Sequence, residues 1–122
     1  MRLMTREAEE ESLVLGLRPV LYLPLWKRDG ASFMSDDAYG HLCTANGCLW
    51  TPQGRRLDGT DDKLTVSAAS SLDCTNALTV ATWINQTVLT HGAIVNKFAY
   101  QVNGYLFKAN VTGIVNAYIQ RS

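Results

Sequence analysis

Beyond residue 20, apolar and polar positions alternate with a period of two along most of the chain. The clearest run is 78–85. Leu78, Val80, Thr82 and Ile84 fall on one side of an extended backbone, and Thr79, Ala81 and Trp83 on the other. Residues 20–26 read as a further strand, with Pro24 marking an edge or a bulge. Residues 41–44 and 48–51 flank Ala45-Asn46-Gly47, and Asn-Gly is a strong hairpin signal. Residues 54–57 and 63–67 flank a second turn, Asp58-Gly59-Thr60-Asp61-Asp62. Strands are also expected at 93–98, 104–108 and 113–119. No helical period of useful length occurs after residue 20. Short strands punctuated by turn signals predict an all-β fold, an antiparallel sandwich or barrel.

Charge divides the chain unevenly. All four glutamates lie in the first eleven residues, no acid follows Asp73, and the last 48 residues carry only Lys97, Lys108 and Arg121. Residues 1–12 therefore read as an acidic leader and 13–122 as one domain. Within the leader, 5–12 suit a short helix with Thr5 as N-cap, or a solvated tail. Hydrophobic residues make up 47% and charged residues 18%, a balance that folds. Net charge is zero and the basic residues are scattered, which argues against nucleic acid as a partner. The longest apolar run, 20–26, is too short to span a bilayer, so no membrane insertion is expected. No secretory signal pattern opens the chain, and no location can be assigned. Cys43, Cys48 and Cys74 form neither a closed disulfide framework nor a C-x-x-C zinc pair. Three reduced thiols are expected, with a Cys43–Cys48 bridge as the alternative.

Several of these segments together resemble laminin G-like domains of the concanavalin A-like jelly-roll class. Gly54-Arg-Arg-Leu-Asp58-Gly59-Thr-Asp61-Asp62-Lys-Leu-Thr-Val66 is similar to the Asp-Gly-x-Asp-Asp turn and following strand of that family. Leu78-Thr-Val-Ala-Thr-Trp83-Ile84, Ala93-Ile-Val-Asn-Lys97 and Gly104-Tyr-Leu-Phe107 then arrive in family order, and Leu21-Tyr-Leu-Pro-Leu25 resembles the opening strand. The resemblance covers about residues 13–119. It implies a β-sandwich with Trp83 buried between sheets, and a rim whose loops hold ligands or calcium. It departs from the family after Gly113, where the Trp-x-x-Val strand and the closing Tyr-x-Asn-Gly or Tyr-x-Asp-Gly hairpin are missing. A shortened variant and a fragment both fit that departure. Either would leave strand edges uncovered and favour self-association or a partner chain.

Three sets of candidate residues follow. Asp58, Asp61 and Asp62 offer carboxylates on one loop, as calcium requires, although a turn capped by its own aspartates is the reading favoured. Asp36, Asp37, Tyr39 and His41 form a second polar cluster, which reads as a ligand-holding rim or a plain surface loop. Trp50 and Tyr100, beside turns, are placed to stack on sugar rings; Tyr39 and His41 join them as ligand-binding candidates. Catalysis is not expected. No glutamate follows residue 11, no strand carries two acids at alternate positions, and no Ser-His-Asp or Cys-His motif is visible. The expected function is a non-catalytic module that binds a glycan or surface ligand. The alternative is a structural or decoration part of a phage particle or other assembly.

Overall fold

A computed structural model describes residues 13–74, 76–98 and 104–120. The chain is all-β, and every strand pair is antiparallel. Its contacts divide it into two units, 1–72 and 73–122.

Among the described residues of the first unit, 13–16 are helical, and the helix ends before Arg18, which takes a left-handed φ of 52°. The expected helix or tail at 5–12 lies outside the described residues. The unit contains two small sheets. In one, β1 (Ser32–Met34) and β5 (Lys63–Val66) flank β2 (Leu42–Asn46). Register puts Phe33 opposite Cys43, Cys43 opposite Val66 and Ala45 opposite Leu64. One face of the sheet therefore gathers these apolar side chains, as the period of two requires. Cys43 at its centre is fully buried. The other sheet is the hairpin of β3 (Leu49–Thr51) and β4 (Gly54–Arg56).

Asn46-Gly47 does turn the chain, with Gly47 at φ 78°, but it joins no hairpin. It is a corner between sheets: β2 pairs with β1 and β5, while β3 pairs with β4. The Asp58–Asp62 loop packs on this corner. A Cβ on Gly47 would lie 1.9 Å from Asp62 Oδ1, and the left-handed φ there favours glycine. Cys43 and Cys48 are buried free thiols facing different carbonyls, of His41 and Lys63, and no bridge joins them; Cys74 is free and exposed.

The second unit holds one sheet in which β6 (Gly92–Lys97) and β8 (Val115–Gln120) flank β7 (Gly104–Ala109). These match the expected strands. A bulge interrupts β6 between Ala93 and Val95. Gly104 approaches β6 so closely that a Cβ would meet Lys97 O at 2.3 Å.

Two expected strands are absent, and one expected core residue is misplaced. Residues 20–26 run as loop and turn. There, Lys27 N–H donates to Pro24 O, and the segment serves as a partner for loop groups rather than for a sheet. Residues 78–85 form no strand, and Trp83, expected in the core, is 97% exposed. Alternation made the segment competent for pairing. Pairing also needs a partner edge, and within the described residues none lies alongside it. Among the described residues the buried hydrophobic set is correspondingly small: Cys43, Cys48, Leu72 and Ala109.

Candidate functional site

The loop between β1 and β2 is organised by two adjacent carboxylates with different partners. Asp37 has no exposed side-chain surface. It accepts hydrogen bonds from the backbone N–H of Tyr22 at 2.9 Å and of Tyr39 and Gly40 at 3.0 Å each. Burial pushes its pKa up. The Ser35 hydroxyl and these three N–H groups outweigh burial and hold the carboxyl below its ordinary value. Asp36 is also desolvated, yet ion pairs with Arg28 and with Lys27, the latter at 3.0 Å, bring it below the usual range. Asp36 and Asp37 thus build the loop.

That loop positions Tyr39 and His41. Their rings stack at 6.0 Å with 13° between planes. His41 is buried, its N–H donates to Ser35 Oγ at 2.7 Å, and Tyr39 is 59% exposed. Beside them lies a depression of about 520 Å³, lined by Tyr39, Gly40, His41 and Leu42 and by the 67–71 segment. The segment contributes Ser67, Ser70 and Ser71, and its end is fixed by a short 3-10 turn, Ser70–Leu72, whose Leu72 is buried. The wall carries no Asp, Glu, Lys or Arg. Volume and lining suit a small uncharged polar ligand.

The fold also assembles an Asp–His–Ser cluster that no local motif announced. Ser71 Oγ lies 3.4 Å and Asp37 Oδ1 3.9 Å from His41 Nε2. Val20 O lies nearer, at 2.8 Å. A carbonyl oxygen only accepts, so the geometry puts the proton on Nε2. That nitrogen then has no lone pair to take a proton from Ser71. Asp37 and Ser71 also address the same nitrogen, whereas a nucleophile-activating relay needs opposite ones. The cluster is a built wall rather than a relay. Cys43 is fully buried, and burial, then the Asp37 charge, push its thiol up.

The other candidates lie elsewhere. Trp50, on β3, is 36% exposed and donates from Nε1 to Trp26 O at 3.1 Å; it does not line the depression. Tyr100 lies outside the described residues. Asp58, Asp61 and Asp62 present carboxylate oxygens within 4.8 Å of one another, a spacing open to an ion with Ca–O distances of about 2.4 Å. Asp58 Oδ1 already accepts from Thr60 N–H and Asp62 Oδ2 from Asp58 N–H, both at 2.8 Å. With Gly59 at φ 80°, these bonds account for the loop as a self-capped turn. The Thr60 N–H is the main cause of a lowered Asp58 pKa. No helix among the described residues is long and apolar enough to cross a membrane. No protein-family model, curated protein or solved structure matches the chain.

Proposed function

We propose that the chain is a non-catalytic binding module of the laminin G-like kind that takes a neutral glycan in the depression beside Tyr39. The observation that carries this reading is the composition of that wall: an exposed tyrosine beside three serines, with no Asp, Glu, Lys or Arg. A sugar offers an apolar ring face and a fringe of hydroxyls. Tyr39 matches the first, and Ser67, Ser70 and Ser71 match the second. The commitment of His41 Nε2 to Val20 O supports a binding rather than a catalytic role. A glycan array probed with the full chain tests this. Binding to neutral glycans is expected, about tenfold weaker in Tyr39→Ala, equivalent to about 1.4 kcal/mol. An empty array, or binding that Tyr39→Ala leaves unchanged, rules the reading out.

A second reading, a structural or decoration component of a particle or other assembly, is favoured by the apolar side chains exposed on the second unit. Ile114 and Ile119 on and beside β8 are 58% and 62% exposed. Electron microscopy of concentrated protein tests it, and ordered polymers are the expected result.

A further inference from the structure

Residues 78–85 keep a strand's pattern without a strand's partner. No backbone hydrogen bond joins them to any other described residue. Their peptide groups are left to water, and Trp83 is almost wholly exposed. Ile84, Val88 and Leu89 are 52%, 66% and 54% exposed. From residue 76 to 96 the sequence has no Asp, Glu, Lys, Arg or Pro. Those are the residues that guard free strands against pairing with another chain.

We propose that residues 78–85 are a self-pairing strand: two copies of the chain align these segments antiparallel about a two-fold axis through Ala81. The pattern selects this register. A two-fold axis normal to the sheet keeps each side chain on its own face, so opposed residues must be an even number apart. Centred on Ala81, Leu78 meets Ile84 and Val80 meets Thr82 on one face. Thr79 meets Trp83 on the other, an aromatic–β-branched pair of the kind that stabilises sheets, and the small Ala81 meets its own copy on the axis. Centring on Thr82 instead sets Ala81 against Trp83 and leaves Leu78 unpaired. The segment is thus self-complementary, as an isologous interface requires. It has no charge with which to select a charged partner.

The available area sets the strength. Trp83 contributes about 200 Å². The exposed part of Ile84 adds about 50 Å², giving about 250 Å² of apolar surface per copy. Interfaces are about 60% apolar, so this corresponds to about 830 Å² buried in total. That lies at the weak, transient end of specific interfaces, and a weak, reversible dimer is expected.

Sedimentation velocity on the full chain, in reductant, from about 1 to 100 µM, is the test. The mass is expected to rise from 13.5 kDa to twice that value. Trp83→Lys alters a side chain with no packing contacts to lose, so it should remain folded by circular dichroism and monomeric throughout. Ala81→Cys in a Cys74→Ser background should form a disulfide dimer on mild oxidation, because residue 81 faces its own copy. A wild-type monomer across the whole range overturns the proposal and leaves the segment to a different partner. A dimer or aggregate that persists in Trp83→Lys, or an Ala81→Cys chain that does not cross-link, overturns it as well.

Discussion

Replacing Asp37 by alanine removes the acceptor around which the loop before β2 is wound. Three backbone donors lose their partner, and they are not equivalent. The Tyr39 N–H bond is at the surface, where water replaces the carboxylate at little cost. The bonds from Tyr22 and Gly40 are partly buried. Leaving each of these donors unsatisfied costs about 1–2 kcal/mol, so Asp37→Ala should destabilise the protein by about 2–4 kcal/mol. Asp37→Asn keeps one acceptor oxygen and should cost about half as much. Urea unfolding at neutral pH, followed by fluorescence, measures both. The same residue predicts a pH dependence. Asp36 and Asp37 are held below the carboxylate value of about 3.9 that the unfolded chain shows. Across that window the unfolded chain binds more protons, so stability rises with pH. It is fully present above about pH 4 and is lost as the pH falls through the folded values. Asp37→Ala should flatten this acid limb by at most about 1.4 kcal/mol per pH unit. A variant within about 0.5 kcal/mol of wild type, with an unaltered acid limb, would refute the reasoning.

Trp83→Ala, measured by urea unfolding at a concentration low enough to keep the chain monomeric, should change stability by less than about 0.5 kcal/mol, as for an exposed site. A loss of about 3–5 kcal/mol would place the indole in a core. At Asp58, Asp61 and Asp62, the self-capped turn predicts that calcium leaves the melting transition unchanged. A weak site with a dissociation constant of about 1 mM would add about 1.4 kcal/mol at about 10 mM calcium, so calorimetry with and without chelator separates the two readings.

The places where strands form are largely a local property, and most were legible. Residues 42–46, 63–66, 92–97, 104–109 and 115–120 alternate, are β-prone and are bounded by turn residues. The Asp58–Asp62 turn was legible for the same reason, because its aspartates bond to neighbouring backbone groups. Asn46-Gly47 shows where local reading stops. The turn chemistry was right, but whether the strands on either side pair with each other depends on which edges are free elsewhere. Here β1 and β5 claimed β2. Residues 78–85 show the same limit more sharply: the pattern qualifies a segment for a sheet and cannot supply the neighbour. The site follows this division too. Tyr39 and His41 stood out as an aromatic and a histidine in a polar loop. That they stack on each other, the serine wall 30 residues on and the Val20 carbonyl that fixes the histidine proton were not visible. Sequence determined most strand-forming segments, the turns and the acid-free tail, because these depend on side chains a few positions apart. Tertiary structure alone decided which edges met, how Asp37 was buried and why Trp83 was left in water, because each of these depends on groups distant in the chain competing for the same partners.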